Sequence, residues 1–508
     1  MRMAVRGVPT VTEYLTDTVE DGQKIGFDGR IVSLKLAEEW QEKFREKGKT
    51  VTFAADRDLI GEIWKDRPAQ IFRDAFLLPE KYTGRSASAK LESLREKLAE
   101  KKAGAFILSS LDDIAWLFNL RGDDVLNNPV VFAFACVDEA RAELFVKTDV
   151  VSESVREVLA AQGVVLRPYE EFWKLSVPEG TACLLDPAKT SYLVGRGVKD
   201  RIAAVNPTTL MKCVKNPTEQ EALRESHRKD GIAMVKWLYW LKHHPAPETL
   251  SEIDVSDALE KCRREAGAFE LSFGTIAAMG PNAAMMHYSA KPEQFSMIEN
   301  KGFLLVDSGG QYPDGTTDIT RTITMGPLSE KQKKHYTAVL KSMLRLAGAQ
   351  FLKGCTCYFL DILARGPVWD LGIDYRCGTG HGVGFCLNVH EGPNGFRWSR
   401  PVSMDGLVEL EPGMVTTDEP GIYLEGEYGI RIENELLCVA GEENEYGQFL
   451  KFEHLTLCPI DLTPVLVEEL SPEERRDLNA YHAMVYDRLK SGLTDEEAAW
   501  LKEITQPV

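Results

Sequence analysis

Two short acidic hairpins, with a glycine-rich segment carrying two histidines between them, hold the residues best suited to chemistry. The first, FLLVDSGGQYPDGTTDITRT (303–322), runs an apolar stretch into Asp307, turns at Pro313-Asp314-Gly315 and returns on a Thr/Ile strand carrying Asp318. The midpoint of the two aspartates lies between Tyr312 and Pro313, so a folded hairpin is expected to set them nearly opposite each other. The second, VTTDEPGIYLEGEYGIRIENELL (415–437), places Glu419 and Glu433 symmetrically about Gly426. Between them, CGTGHGVGFCLNVHEGP (377–393) carries His381 and His390.

Four carboxylates aimed at one place repel one another unless a cation holds them. A single acid beside a turn is ordinarily a solvated surface group, and a single histidine an ordinary core or surface residue. Two symmetric acidic hairpins bracketing a His-Gly segment outweigh that reading and point to metal binding. Four carboxylates with an imidazole make a more anionic set than a structural zinc site, and oxygen-rich ligation favours Mn, Mg, Fe or Co, with Zn possible. Two ions about 3.5–4 Å apart can share bridging carboxylates, a known hydrolytic arrangement.

These three blocks, in this order and spacing, resemble the signature blocks of aminopeptidase P (Xaa-Pro aminopeptidase), a "pita-bread" metallopeptidase of family M24. WLFNLRGDDVLNNPVVFA (116–133), FEHLTLCPIDL (452–462) and the tail EITQPV extend the resemblance to the long, three-domain, cytosolic-type enzymes and to nearly the whole chain. The resemblance implies five metal ligands, Asp307, Asp318, His381, Glu419 and Glu433, with Asp318 and Glu433 shared by two divalent ions. Manganese is the first choice, zinc and cobalt the alternatives. It makes Glu419 the carboxylate that relays a proton, and gives His287 and His390 the tasks of orienting substrate and passing a proton to the leaving nitrogen. The implied substrates are peptides with proline at the second position, and the implied assembly is a homodimer.

Some features come from the residues alone. Nine positions separate His381 from His390, so a regular strand would face them oppositely; both reach one site only if the strand bends or ends between them. Arg431 lies two residues before Glu433, on the same strand face, where it can hold a carboxylate and contribute to substrate binding. The resemblance itself marks one departure: many members of that family have histidine where this chain has Cys377, a poorer hydrogen-bond partner expected to leave the site open to oxidation.

The rest of the chain must position these groups. With 508 residues it exceeds one ordinary domain. An excess of 78 acidic over 60 basic side chains, without a long basic run, argues against nucleic acid or an anionic membrane as partner. No stretch has the apolar length of a membrane span, and the start has no apolar signal core, so a cytoplasmic protein with reduced thiols is expected. Residues 1–80 alternate helix and strand and are read as the remnant of a first α/β creatinase-N-like domain. By the resemblance, a further stretch would precede them, and a half-sheet would leave a strand edge unpaired. Residues 81–214 read as a second such α/β domain, in which Trp116, Asn119 and Arg121 are candidates for the substrate cleft, Trp116 being more readily core. Thr218 and Glu221 fit a capping box opening a long helix. Residues 215–460 are expected to form the α+β pita-bread domain, a curved, mostly antiparallel sheet covered by helices, and 461–508 a helical C-terminal extension. The competing readings are a prolidase-like dipeptidase of the same fold and an inactive, truncated peptide-binding protein.

Overall fold

Thr10, Ser33, Ser86 and Ser152 each precede an amphipathic run and open a helix by accepting a backbone N–H on the side-chain oxygen: α1 (Val11–Thr18), α2 (Leu34–Glu46), α3 (Ala87–Glu100) and α4 (Glu153–Ala161). In α2 the buried residues Leu34, Ala37, Trp40 and Phe44 recur every three or four positions and make one apolar face. The computed structural model describes residues 7–399 and 407–508. Packing divides the chain into two units. One runs to Leu78 and continues through Arg85–Asp124 and Val130–Thr209; the other takes Pro79–Gly84, Val125–Pro129 and Leu210–Val508.

In the N-terminal unit, β1 (Lys24–Gly26) and β2 (Thr52–Ala54) make a two-stranded parallel sheet. A separate mixed sheet contains β3 (Ala105–Leu108), β4 (Ala133–Asp138), β5 (Ala142–Val146), β6 (Val164–Pro168), β7 (Cys183–Leu185) and β8 (Arg201–Ala203), in the order β8-β7-β3-β4-β5-β6. The central strand β3 is apolar and buried throughout, whereas β4 alternates buried and half-buried positions, as its sequence alternation requires. Trp116, Asn119 and Arg121 are all buried in this unit. Lys90 donates to Trp116 O and Asn119 Oδ1, and Arg121 donates to Ala115 O, so these three side chains serve the unit's own interior.

The C-terminal unit opens with α5 (Pro217–Lys242), and its cap differs from the Thr218–Glu221 box that the sequence suggests. Asn216 accepts from the N–H groups of Thr218 and Glu219, and the Glu219 carboxylate returns to Asn216 N–H. Pro217, with no N–H to satisfy and φ already near helical, fits the first helical position and pulls the start forward. Further helices are α6 (Glu252–Glu265), α7 (Glu330–Ala347), α8 (Cys357–Trp369), α9 (Pro472–Leu489) and α10 (Asp495–Ile504). The strands are β9 (Ile276–Met279), β10 (Phe303–Ser308), β11 (Gly310–Tyr312), β12 (Gly315–Thr316), β13 (Ile319–Thr324), β14 (Gln350–Leu352), β15 (Val415–Asp418), β16 (Gly421–Leu424), β17 (Tyr428–Arg431), β18 (Asn434–Asn444) and β19 (Gly447–His454). They pair as β9-β10-β13, β11-β12, β14-β19-β18-β15 and β16-β17, and every one of these ladders is antiparallel. Helices α7 and α9 pack Tyr336, Val339, Leu340, Leu478 and Val485 with Phe303, Ile430 and Ile432 in one core. This is the α+β unit with a mostly antiparallel sheet that the sequence predicts.

Candidate metal centre

The second hairpin has the register its symmetry predicts. Gly421 stands opposite Arg431 in β16-β17, and Asp418 opposite Asn434 in β15-β18, so one register runs through both ladders and sets Glu419 across from Glu433 in the gap between them. The first hairpin differs by a step. Asp307 is opposite Thr320, because Pro313-Asp314 form the turn and Gly315 already pairs with Tyr312. Asp318 therefore lies two residues along from that partner, diagonal to Asp307 rather than opposite, and on the same face.

Residues 377–399 form no regular strand; they double back. Gly384 N–H donates to Asn388 O (3.1 Å), Glu391 N–H to Gly382 O (2.7 Å) and Gly382 N–H to Asn394 O (2.9 Å). The fold-back brings the rings of His381 and His390 edge to face, 4.1 Å between centroids. It depends on close backbone approach: a Cβ on Gly380 would lie 1.8 Å from Thr417 O, and one on Gly382 2.1 Å from Glu391 O.

The eight residues given a metal, catalytic or substrate role from the sequence, His287, Asp307, Asp318, His381, His390, Glu419, Arg431 and Glu433, line one cavity of about 890 Å³, a volume of the size that holds small ligands. At its floor, ligand atoms of Asp318, His381 and Glu433 lie within 4.8 Å of one another. His381 Nε2 is 3.4 Å from Asp318 Oδ2 and 3.5 Å from Glu419 Oε1. Its Nδ1–H donates to Gly382 O (2.9 Å), which fixes the tautomer with Nε2 as the bare acceptor, the form that binds a cation. Asp307 Oδ1 is buried with no hydrogen-bond partner, as an oxygen left for a cation would be.

Neighbours hold these donors in place. Arg431 donates to Asp307 Oδ2, to Thr320 Oγ1 (2.9 Å) and to Tyr423 OH (2.8 Å), so the carboxylate it holds is that of Asp307. Thr320 Oγ1 in turn donates to Glu433 Oε2 (2.6 Å). Thr417 Oγ1 accepts from His381 N–H (2.9 Å) and donates to Glu419 Oε1 (3.0 Å). Sequence reasoning missed Thr320, Thr417 and Tyr423. The first two had a signal, since each lies on a strand two residues from a selected acid just beyond that strand's end, the spacing that shares a face in extended chain. Glu391, clamped by Lys212 (3.0 Å) and Lys215 (2.6 Å), and residues 125–128, which also line the cavity, carried none.

Burial raises the carboxyls of Asp318 and Glu433 well above the carboxylate range, and the neighbouring acids add to it: Asp307 and Glu419 for Asp318, then Asp318 and Glu419 for Glu433. Folded protein without metal thus holds protons that the unfolded chain releases. Its stability is fully present below the ordinary carboxylate range and is expected to fall as pH rises toward the raised values, by about 1.4 kcal/mol per pH unit for each such proton. Bound divalent cations should flatten that slope. Thermal unfolding across acid to neutral pH, in chelator and in excess metal, checks this; parallel curves would count against it. Partial burial, then the neighbouring His381 and His287 rings, push His390 down to about 4, leaving it neutral near pH 7. Burial, then Glu419, pushes the Cys377 thiol up to about 11, which keeps it protonated and works against the oxidation expected of it.

Comparison with known proteins agrees along the chain. Residues 221–440 match the model of metallopeptidase family M24, residues 66–219 the Creatinase/Prolidase N-terminal domain, and residues 448–508 the C-terminal region of the M24 peptidases. The chain is 37% identical to a probable Xaa-Pro aminopeptidase P of Leptosphaeria maculans, over all of this chain and 87% of that protein. It is 36% identical to aminopeptidase P1 of Arabidopsis thaliana, over 98% of this chain and 85% of that one. Among solved structures, it superposes on the X-prolyl aminopeptidase of Caenorhabditis elegans, described as a cytosolic enzyme with a di-nuclear active site, with a TM-score of 0.91 and 32% identity, covering all of this chain and 85% of that one. An Xaa-Pro dipeptidase from Bacillus anthracis matches 74% of this chain and 99% of its own, with a TM-score of 0.58 and 25% identity.

Proposed function

The chain belongs to metallopeptidase family M24, and from that membership we propose that it removes the N-terminal residue from peptides whose second residue is proline, as a metal-dependent aminopeptidase with the pita-bread fold. The observation that carries this reading is the His381 ring, whose only bare nitrogen faces the carboxylates of Asp318 and Glu419. Asp307, Asp318, His381, Glu419 and Glu433 are the residues that would hold two divalent cations, manganese first, with zinc and cobalt as alternatives. When bound, the cations polarise a carbonyl and make a water acidic.

The chain's own groups do the rest. Glu419, facing His381 at the cavity floor, accepts the proton shed by the attacking water. Neutral His390 and the exposed His287 orient the peptide and hydrogen-bond the carbonyl as charge builds on it. Arg431 fixes Asp307 and closes the wall against which the peptide lies. As the C–N bond breaks, the leaving proline nitrogen needs a proton, as any amide nitrogen does, and these histidines pass it on.

Likeness along nearly the whole chain to aminopeptidases, at 36–37% identity to two relatives and 32% to a solved structure, favours the aminopeptidase over the prolidase-like reading, since the dipeptidase matches only 74% of the chain. The complete donor set speaks against an inactive binding protein. No helix among the described residues is long and apolar enough to cross a membrane. A cytoplasmic homodimer that engages neither membrane nor nucleic acid remains part of the proposal. The test is release of the first residue from Xaa-Pro-Yaa, Xaa-Ala-Yaa and Xaa-Pro, with manganese and after chelation. Cleavage of Xaa-Pro-Yaa alone, lost on chelation and restored by metal, is the expected result. Cleavage of Xaa-Pro alone would replace it with the dipeptidase reading.

A further inference from the structure

One apolar side chain of the cavity wall stands almost free. Leu126 lines the cavity and is 79% exposed, whereas Val389, which lines it beside His390, is 6% exposed. A lone exposed leucine on a loose loop would call for no account. This one sits on a turn held from several directions. Asn128 N–H donates to Val125 O (3.2 Å), and Asn127 takes the left-handed conformation, φ +64, that an asparagine tolerates in so tight a turn. Asn127 Nδ2 donates to Leu271 O (3.1 Å), and Gln311 Nε2 donates to Asn127 O (3.1 Å). Gln311 is itself fully buried, and its Oε1 accepts from Thr316 Oγ1 (2.8 Å). The turn has its shape before a peptide arrives, so the backbone that carries Leu126 loses little freedom on contact. The same Gln311 Nε2 lies 2.8 Å from Leu387 O, which makes Asn127 O and Leu387 O neighbours. The turn therefore stands beside the part of the fold-back that leads through Asn388 into His390, the histidine proposed above to serve the leaving proline nitrogen.

We infer that Leu126 is a specificity-determining residue that packs against the side chain of the substrate's third residue, and so favours peptides with an apolar residue after the proline. This rests on the peptidase reading. The proline lies deep, beside His390 and the buried Val389. An extended peptide gains about 3.3–3.6 Å with each further residue, so the third residue is the one carried out toward the turn. A leucine held at the mouth offers it apolar surface and neither charge nor hydrogen bond, which favours leucine or phenylalanine there over glycine or aspartate. Only part of one side chain is covered, which holds the preference for leucine over glycine to roughly three- to tenfold in kcat/KM, carried mainly by KM.

The experiment measures kcat and KM of the manganese-loaded protein for Ala-Pro-Leu, Ala-Pro-Gly and Leu-Pro-Gly, all as C-terminal amides, in wild type, Leu126→Ala and Leu126→Met. The amides remove the terminal carboxylate from the comparison. The wild type should cleave Ala-Pro-Leu better than Ala-Pro-Gly by that factor. Leu126→Ala should bring the ratio close to one, and Leu126→Met, which restores apolar surface, should keep most of it. The ratio of Leu-Pro-Gly to Ala-Pro-Gly, which varies the first residue instead, should be the same in all three proteins. Equal cleavage of Ala-Pro-Leu and Ala-Pro-Gly by the wild type, or a ratio untouched in Leu126→Ala, overturns the inference while leaving the peptidase reading intact. So does a Leu126→Ala effect confined to the first residue, which would place the turn on the other side of the scissile bond. Cleavage of none of the peptides by the wild type would sink both.

Discussion

Glu433→Gln is expected to cut hydrolysis of Xaa-Pro-Yaa by about a thousandfold or more and to empty the site of metal, yet to leave the metal-free fold at neutral pH more stable than wild type. The substitution preserves shape. The carboxamide oxygen can still accept from Thr320 Oγ1, and the backbone bond of Glu433 N–H to Thr320 O is untouched. What disappears is one anionic donor at a position 1% exposed, beside Asp318. Without a cation, that charge is a liability, since burial and the nearby acids already drive its carboxyl to stay protonated. With a cation, it is a ligand. The two effects have opposite signs in the two states, and this separates a ligand from a merely structural acid, whose loss would lower stability in both. Metal content by plasma mass spectrometry, kcat/KM, and thermal unfolding in chelator are the readouts. Full metal occupancy and full activity in the variant would remove Glu433 from the proposed set.

The second hairpin shows how far local sequence reaches. EGEYG puts Gly426 at the centre of the turn, with φ +75, and the antiparallel register through both flanking ladders follows from that centre. The first hairpin shows the limit. Pro313-Asp314-Gly315 announces a turn without saying which two residues are its centre, and a step in that choice moves Asp318 from opposite Asp307 to diagonal. The cap of α5 is the same kind of ambiguity: Asn216-x-x-Glu219 and Thr218-x-x-Glu221 both fit the pattern, and Pro217 decides between them. The fold-back at 377–399 has no periodicity to read. Its shape is set by the contact of Gly382 with Glu391 inside the segment and by that of Gly380 with Thr417, which exists only once a distant strand has assembled. Nor does local pattern announce that Gln311 will donate to Asn127 O, across 184 positions, and to Leu387 O, tying loop 125–129 and the fold-back to the first hairpin.

Arg431→Met is expected to destabilise the metal-free protein by about 3–5 kcal/mol, the cost typical of breaking a buried ion pair from one side. The guanidinium is 3% exposed and engages Asp307, Thr320 and Tyr423 at once. Methionine fills much of the volume and supplies none of the donors, so Asp307 loses the partner of Oδ2 while Oδ1 already lacks one. Divalent metal can replace the missing positive charge, so the penalty should shrink in saturating metal and metal should stabilise the variant more than the wild type. Metal affinity should nonetheless fall about 10–100-fold, because Asp307 is no longer oriented. Lysine at the same position offers a charge to Asp307 but cannot fork to Thr320 and Tyr423 together, so Arg431→Lys should recover only part of the stability. Chemical unfolding of the three proteins in chelator and in manganese reads out both effects. If Arg431→Met were as stable as wild type in chelator, Asp307 would not depend on this guanidinium, and its poise toward a cation would have to come from elsewhere in the hairpin.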